Sequence, residues 1–299
     1  MSTKNNFNDV PMAPPDPILG VKKRYDADPS GEKVDLGIGA YRNGQGKPVV
    51  LGVVREAEKR ILSDMKLNKE YLSQQGDARF IECTQRFLFG DESPARKEGR
   101  IATVQSLSGT GALRLGAELI AQERPCAVYV PNPTWGNHNS IFGIGAKLPV
   151  HSYRYFDKKT LGLDLKGMLE DLNNAPMGSC IILHVCAHNP TGVDPTQDQW
   201  KEILKVIQER KHLPFFDSAY QGFASGDVDA DAYAVRLFDH AKIEMLVAQS
   251  YSKNLGLYGE RIGAINVVCL DKKVATAVDS QLGMVVRRMY SNPPRHGAA

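Results

Sequence analysis

Short apolar runs alternate along this chain with longer segments whose apolar residues recur at helical spacing. The apolar runs predict buried strands over 101–106, 127–130, 181–186, 213–216, 246–249 and 262–268. We expect Pro131 and Pro133 to stop the second of these strands. The helical spacing predicts helices over 48–66, 77–89, 110–123, 196–211 and 271–289. Strands that alternate with helices indicate an α/β domain with a mostly parallel sheet.

The first twenty residues depart from this pattern because they contain Pro11, Pro14, Pro15 and Pro17. Proline fixes φ and lacks a backbone donor, so this stretch is expected to be an extended arm and not a helix. The rest of the composition is that of an ordinary globular protein, with 42% apolar and 24% charged residues. The net charge of +3 comes without a long basic run, so neither nucleic acid nor a membrane surface is predicted as a partner.

Cysteine usage indicates a reducing compartment. The five cysteines are odd in number and no two have C-x-x-C spacing, so free thiols are expected. No metal site is predicted. The N-terminal residues lack the apolar stretch of a signal peptide, and the first arginine is Arg24, which disfavours an arginine-rich transit peptide. These features favour a cytoplasmic protein.

Polar motifs follow four of the predicted strands. Ser108-Gly109-Thr110 lies between a strand and a helix, and the segment 188–192 (HNPTG) follows another strand. Asp217 and Tyr220 follow a third strand, and Lys253 follows a fourth. Ligands of open α/β sheets bind beyond the carboxyl ends of the strands. We therefore expect these four clusters to converge on one site.

Lys253 stands in the heptapeptide SYSKNLG at residues 250–256, among hydroxyls and a glycine. Such a lysine suits covalent chemistry with a carbonyl, provided that burial or a nearby cation lowers its pKa. Arg261, eight residues further on, is a candidate for that cation and also for a phosphate ligand. A carbonyl and a phosphate on one ligand indicate pyridoxal phosphate. The alternative is a solvated lysine after a strand.

The remaining motifs allow both a functional and a structural interpretation. Ser108-Gly109-Thr110 opens a helix, where backbone N–H groups and hydroxyls favour an anion, but it is also an ordinary helix cap. Asp217 ends the run LPFFD and would suit a protonated pyridine nitrogen, or it is a turn aspartate. Trp135 would stack on a flat cofactor or serve packing. Asn189 would donate to a ring oxygen or form a turn beside Pro190.

Taken together, the motifs resemble the aspartate aminotransferases of the class I pyridoxal-phosphate family. The matching segments cover nearly the whole chain in the family's order and read VDLGIGAYR, QSLSGTGALR, NPTWGNH, CAHNPTG, FFDSAYQGFASG, SYSKNLGLYGERIG and RRMYSNPPRHGA. The resemblance implies a fold-type-I transferase that binds pyridoxal phosphate in a large α/β domain. It places the arm and the first part of a small domain in residues 1–46 and the large domain in 47–299. Most of the family's small domain follows the last matching segment, so it is expected to be missing from these 299 residues.

The resemblance also implies roles for single residues. Lys253 resembles the Schiff-base lysine that carries a proton, and Asp217 the partner of the pyridine nitrogen. Tyr220 and Asn189 resemble donors to the ring oxygen, and Trp135 the stacking tryptophan. The residues that resemble the phosphate cup are Ser108, Gly109, Thr110, Ser250 and Arg261.

Two further residues resemble groups that one subunit of a homodimer offers to its neighbour. Tyr71 is similar to the tyrosine that reaches the neighbour's phosphate. Arg287 is similar to the arginine that binds the substrate's side-chain carboxylate, although a shift of one residue would exchange it with Arg288. Gly39, Trp135 and Asn189 resemble contacts to the substrate.

The activity implied is transfer of an amino group between L-aspartate and 2-oxoglutarate. Relatives that accept aromatic amino acids share most of these motifs, so an aromatic or dual-specificity aminotransferase is the first alternative. The family's arginine for the substrate α-carboxylate lies in the missing block, so the 299-residue chain is expected to be a weak or inactive transaminase. A non-catalytic form that binds cofactor or partner subunits is therefore the second alternative.

Overall fold

A computed structural model describes residues 6–14, 19–35, 37 and 39–299. The chain divides into two compact units, residues 1–50 and 51–299. In the first unit, α1 spans Leu19–Ala27, and Arg42 pairs with Pro48 as an isolated antiparallel bridge.

The predicted extended arm is correct only in part. Pro11 and Pro14 lie in irregular backbone, whereas Pro15 and Pro17 lie outside the described residues. Helix α1 begins at Leu19, within the stretch predicted to be extended. The chain after Pro17 regains its backbone donors, so the proline argument no longer applies there.

The second unit is built on a seven-stranded sheet. The strands of this unit are β1 Ile101–Leu107, β2 Val128–Asn132, β3 Val150–Arg154, β4 Phe156–Asp157, β5 Gly162–Leu163, β6 Cys180–His184, β7 Leu213–Ser218, β8 Met245–Ser250 and β9 Ile262–Val268. Strands β4 and β5 form a separate two-stranded ribbon, and the other seven form the large sheet. The strand order in the large sheet is β1-β9-β8-β7-β6-β2-β3. Strand β9 runs antiparallel to both of its neighbours, and every other pairing in the sheet is parallel. The predicted mostly parallel sheet is therefore confirmed.

Helices cover both faces of this sheet. The helices of the second unit are α2 Gly52–Ser63, α3 Ala78–Phe89, α4 Pro94–Lys97, α5 Ser108–Glu123, α6 Asn137–Asn139, α7 Leu165–Asn174, α8 Gln197–Glu209, α9 Val228–Asp231, α10 Tyr233–His240 and α11 Lys272–Met289. A π-helical turn follows α6 at Ser140–Gly145, and a 3-10 turn lies at His296–Ala298. The sequence shows why α8 forms, because Thr196 and Gln199 make a reciprocal capping box ahead of an apolar stripe.

Two apolar cores result, one on each face of the sheet. Helices α5 and α11 pack on one face, where Phe215 of β7 is fully buried. Helices α3, α7, α8 and α10 pack on the other face, where the next residue, Phe216, is also fully buried. Because both faces are covered, the inner strands are mostly apolar, which explains why they read as apolar runs. Buried polar residues such as Gln249 and Asn266 interrupt these runs.

Several predicted boundaries were wrong. Strand β2 continues through Pro131 to Asn132. Its pairing with β6 covers only Val128 and Tyr129, so at Pro131 the strand is paired on one side only. A proline is tolerated there because its missing N–H is not needed on the unpaired side. Helix α5 begins two residues before the predicted start, at Ser108. Helix α2 is shorter than predicted. Strand β3 and helices α4, α7 and α10 were not predicted. Within the described part of the chain, no helix combines the length and the apolar character needed to cross a membrane.

Candidate active site

Three serine hydroxyls meet beyond the ends of β1 and β8. The Oγ of Ser108 lies 2.9 Å from the Oγ of Ser250 and 2.7 Å from that of Ser252. Arg261 donates from Nη1 to Ser252 Oγ at 3.3 Å, and its own side chain remains exposed. All three serines are buried, so their hydroxyls form a small polar cup with a cation at its rim. Such a donor set is suited to an oxyanion.

Glycines allow the backbone to approach closely around this cup. A Cβ on Gly263 would lie 2.4 Å from the carbonyl oxygen of Gln249 and 2.7 Å from the carbonyl carbon of Ser108. A Cβ on Gly109 would lie 3.0 Å from that of Ser250. Ser108 itself has φ of 61°, a left-handed conformation that is uncommon for a residue with a side chain. The local chain is therefore shaped around the position of the hydroxyls.

Lys253 follows β8 and lies next to the cup. Its Nζ is 5.1 Å from the centre of the Tyr258 ring. Partial burial lowers the pKa of Lys253, and the positive charge of Arg261 lowers it further. A lysine with a lowered pKa provides the neutral amine that attack on a carbonyl requires.

Asp217 is held by a histidine that the sequence analysis did not single out. The Nε2 of His138 lies 3.1 Å from Asp217 Oδ2, and its Nδ1 lies 2.7 Å from the hydroxyl of Thr134. His138 is fully buried. Because a carboxylate only accepts hydrogen bonds, Nε2 must carry the proton that His138 donates to Asp217. One carboxylate oxygen is thus fixed, and the other has no hydrogen-bond partner among the residues that the structure describes.

A series of edge-on ring contacts connects Asp217 with the loop that carries Asn189. The ring of His138 meets Trp135 and His184 edge-on, with centroids 5.4 Å apart in both pairs. The backbone N–H of Asn189 donates to His184 Nδ1 at 3.3 Å. Burial lowers the pKa of His184 well below its usual value, so this ring remains neutral and accepts the hydrogen bond.

Tyr220 lies near the same carboxylate. Burial raises the pKa of Tyr220, and the charge of Asp217 raises it further. The Nδ2 of Asn254 donates to the backbone oxygen of Gln221 at 3.4 Å, which joins the segment after Lys253 to the segment after Tyr220. The structure therefore brings the four predicted strand-end clusters to one edge of the sheet.

Three predicted site residues in the second unit show no contact with this cluster among the described interactions. The side chain of Thr110 is exposed in the first turn of α5. Gly39 belongs to the unit formed by residues 1–50, where it is exposed. Tyr71 is 82% exposed, and Arg287 is exposed with its guanidinium on the hydroxyl of Ser291. The neighbouring Arg288 donates to Gln122 at the C-terminal end of α5 at 2.7 Å, away from the N-terminal end that carries Ser108.

His138, Ser252 and Gly263 belong to the site but were not predicted from the sequence. Ser252 was visible, because it belongs to the same hydroxyl-rich string as Lys253. His138 lies in the quoted segment NPTWGNH, but its partner Asp217 is 79 positions away, so no local spacing signals the pair. Nothing in the sequence distinguishes Gly263 from an ordinary glycine in a strand.

Comparison with known proteins agrees with this geometry. A family model described as aminotransferase class I and II matches residues 31–299. Cytoplasmic aspartate aminotransferase of Oryza sativa subsp. japonica is 54% identical over all of this chain and 74% of its own length. Chloroplastic aspartate aminotransferase of Arabidopsis thaliana is 57% identical over 98% of this chain and 65% of its own length.

Among solved structures, an aromatic-amino-acid aminotransferase from Burkholderia pseudomallei, covalently bound to pyridoxal phosphate, superimposes with a TM-score of 0.94. It is 43% identical and is matched over 99% of this chain and 73% of its own chain. The chain thus spans about two thirds to three quarters of the length of these relatives.

Proposed function

The chain belongs to the class I and II aminotransferase family, and on this premise we propose that it transfers the amino group between L-aspartate and 2-oxoglutarate, giving oxaloacetate and L-glutamate. The observation that carries the proposal is Lys253, an amine with a lowered pKa that lies beside a cup of serine hydroxyls. The two relatives named aspartate aminotransferase support the choice of substrate.

The residues of the cup fit pyridoxal phosphate, the cofactor used throughout this family. Three buried hydroxyls and one guanidinium form a donor set for phosphate, and the absent Cβ of Gly109 leaves room against Ser250. We propose Ser108, Gly109, Thr110, Ser250, Ser252 and Arg261 as the residues that hold the phosphate. When bound, this cofactor supplies a carbonyl at which amino groups are exchanged and an aromatic ring that accepts electrons.

The remaining ligands would orient the ring of the cofactor. The free oxygen of Asp217 would hold a proton on the ring nitrogen, while His138 keeps the carboxylate in place. Trp135 would stack on the ring, and Tyr220 and Asn189 would donate to its oxygen. Burial keeps Tyr220 protonated, as a donor requires.

Lys253 would act as the base once substrate has released it. Its lowered pKa leaves a fraction of the amine neutral, so Nζ accepts the proton of the substrate α-carbon and later returns one. The nearby charge of Arg261 serves this role as well as phosphate binding, because it disfavours a second positive charge at Nζ.

We further propose a homodimer with shared active sites. Arg287 would bind the side-chain carboxylate of a substrate in the neighbouring subunit, with Gly39 and Asn189 as further substrate contacts, and Tyr71 would reach the neighbour's phosphate. The exposure of Tyr71 supports this, as does the surface that precedes it: Leu62 is 80% and Met65 92% exposed. The planar guanidinium of Arg287 matches a carboxylate and would favour dicarboxylic substrates.

Domain organisation and compartment remain proposals. We propose that residues 1–46 form the arm and the first part of a small domain, and 47–299 the large domain; the observed division after Val50 supports a boundary near this position. We propose a cytoplasmic location, which is supported by the similarity to the cytoplasmic rice enzyme. The Arabidopsis enzyme, which is 57% identical, is chloroplastic, so imaging of a tagged chain is the direct test.

A second candidate function is transamination of aromatic amino acids, favoured by the similarity to the Burkholderia enzyme. A third candidate belongs to another class: a form that binds cofactor or partner subunits without turnover.

An absorbance spectrum of the chain with pyridoxal phosphate, recorded before and after addition of aspartate, separates these functions. Conversion of the cofactor band by aspartate supports the proposed activity, and conversion by phenylalanine alone supports the aromatic alternative. A cofactor band that neither amino acid changes supports the non-catalytic form. Comparison of kcat/KM with that of a chain extended by the C-terminal block of a relative then measures what the additional residues contribute.

A further inference from the structure

Two side chains from the segment after α11 hold the backbone on either side of Tyr71. Arg295 donates from Nε and Nη2 to the backbone oxygen of Glu70, at 3.2 and 3.1 Å. Asn292 donates from Nδ2 to the backbone oxygen of Leu72 at 2.8 Å. The two carbonyls flank Tyr71 in the chain, so its Cα is fixed from both sides.

The same segment is also fixed to the turn that carries Arg261. The ring of His296 pairs through Nδ1 with Glu260 Oε2 at 3.2 Å. A Cβ on Gly297 would lie 3.1 Å from the Cβ of Glu260, so the two stretches are in close contact. Glu260 immediately precedes Arg261. Two consecutive residues, Arg295 and His296, therefore connect the Tyr71 loop with the turn that ends the phosphate cup.

This connection matters because Tyr71 is poorly packed. The residue is 82% exposed, so side-chain packing restrains it only weakly. Its backbone N–H donates to Glu70 Oε1 at 2.8 Å, a contact with the preceding residue that does not tie it to the rest of the fold. A hydroxyl that reaches a phosphate must be placed by its backbone when its own ring is not packed. The guanidinium of Arg295 makes charge-assisted hydrogen bonds, which are the stronger kind available to a carbonyl.

We propose that Arg295 is a positioning residue for Tyr71: it sets the reach of the Tyr71 hydroxyl to the phosphate of the neighbouring subunit, with His296 anchoring the segment to the cup of its own subunit. This assignment rests on the proposed function, because it requires a phosphate-bearing cofactor and a dimer. The same segment also links Tyr71 to Arg287, because Arg287 contacts Ser291, which lies in this segment.

The test is a double-mutant cycle on cofactor affinity. Arg295→Met and Tyr71→Phe are made singly and together, and the Kd for pyridoxal phosphate is measured on the apoprotein by equilibrium dialysis at a concentration where it is dimeric. We expect Arg295→Met to raise Kd about 5-fold in the parent chain and less than about 2-fold in the Tyr71→Phe chain. The 31P resonance of the bound cofactor should shift in Arg295→Met and Tyr71→Phe alike.

Arg86→Met is the matched control, because Arg86 is an exposed arginine whose ion pair with Asp91 lies apart from this segment. It should leave both Kd and the 31P resonance unchanged. Arg295→Lys retains a donor and a charge and should recover part of the affinity. Sedimentation of each variant confirms that the dimer persists.

An equal rise in Kd in both backgrounds, or no rise at all, would overturn the assignment while leaving the proposed function intact. Failure of the parent chain to bind pyridoxal phosphate would overturn the proposed function and this assignment together.

Discussion

His138 Nε2 lies 3.1 Å from Asp217 Oδ2, and the opposite nitrogen of the same ring lies 2.7 Å from the hydroxyl of Thr134. The histidine is fully buried, and it joins α6 to the end of β7. Because the hydroxyl occupies Nδ1, the ring is fixed in orientation. The carboxylate of Asp217 is therefore held in place by groups of the protein itself.

We predict that Asp217→Ala lowers turnover far more than it lowers stability. Loss of the carboxylate removes the group proposed to hold a proton on the ring nitrogen, and removal of one such electrostatic contact typically costs about 10²- to 10³-fold in rate. Stopped-flow rates of the half-reaction with aspartate measure the first effect, and thermal melting of the apoprotein measures the second. A variant with near-normal half-reaction rates would show that the ring nitrogen is held by another group.

We predict that pyridoxal phosphate becomes attached to Lys253. The lowered pKa of this amine and its place beside the hydroxyl cup are the reasons. Borohydride reduction followed by peptide mapping should label the peptide that contains residue 253, and Lys253→Ala should abolish the label. Labelling of another lysine in the parent chain would refute the assignment.

We predict that removing the charge of Arg261 moves the pH midpoint for the reactivity of the Lys253 amine to higher pH. Burial is the larger cause of the lowered pKa of Lys253 and Arg261 the smaller, so Arg261→Met should raise this pKa but leave it below its usual value of 10.5. A higher pKa means that the neutral amine appears at higher pH. The measurement uses pyridoxal, because it has no phosphate for Arg261 to bind. The extent of its attachment to Lys253 is measured by borohydride trapping at a series of pH values.

The matched control for this pH shift is Arg86→Met, which removes an exposed arginine from α3. Its pH midpoint should coincide with that of the parent chain. If Arg261→Met left the midpoint unchanged or moved it to lower pH, the electrostatic influence of Arg261 on Lys253 would be disproved.

We predict that two inactive variants restore activity when their subunits are exchanged. In a mixed dimer of Lys253→Ala and Arg287→Ala, one site combines an intact Lys253 with an intact Arg287 from its neighbour. Random exchange puts about half of the chains in mixed dimers with one active site each, so roughly a quarter of parental aspartate activity should return. Demonstrated exchange without recovery would argue against shared sites.

We predict that Gly263→Ala destabilises the protein strongly. The added methyl would lie 2.4 Å from the Gln249 carbonyl oxygen and 2.7 Å from the Ser108 carbonyl carbon, both backbone atoms that cannot turn aside. The cost should be roughly 3 kcal/mol, which lowers Tm by roughly 6–12 °C for a chain of this size. Gly259→Ala is the control, because a Cβ there meets nothing within 4 Å. Equal melting temperatures for the two variants would contradict the packing argument.

How far the fold could be predicted depended on burial. Strand β8 is buried at every position, so its apolar run was plain, whereas β3 at the edge of the sheet buries only Tyr153 among its five residues. Helix α7 was missed although its pattern is helical. Its Gly167 weakens the helical propensity, yet this glycine allows the carboxylate of Asp164 to cap the helix through a 2.9 Å hydrogen bond.

Residues of the candidate site could be predicted where they stand in a recognisable local sequence motif. Lys253 and Asp217 each stand in a recognisable string, and the rule for parallel sheets placed both at one edge. His138 and Gly263 were not predictable, because their roles come from contacts with residues that are distant in the sequence. The roles of Tyr71 and Arg287 remain predictions, since they concern a neighbouring subunit.

The position of β9 between β1 and β8 determines when this site can form during synthesis. Ser108 emerges from the ribosome more than a hundred residues before Ser252, and its backbone lies against Gly263 of a strand that must insert between β1 and β8. Closing so long a loop is slow compared with local folding. A nascent chain that stops before β9 lacks both Arg261 and the contact between Gly263 and Ser108. The hydroxyl cup is therefore completed only when the last strand of the central sheet is in place, so its formation follows the folding of the sheet and does not guide it.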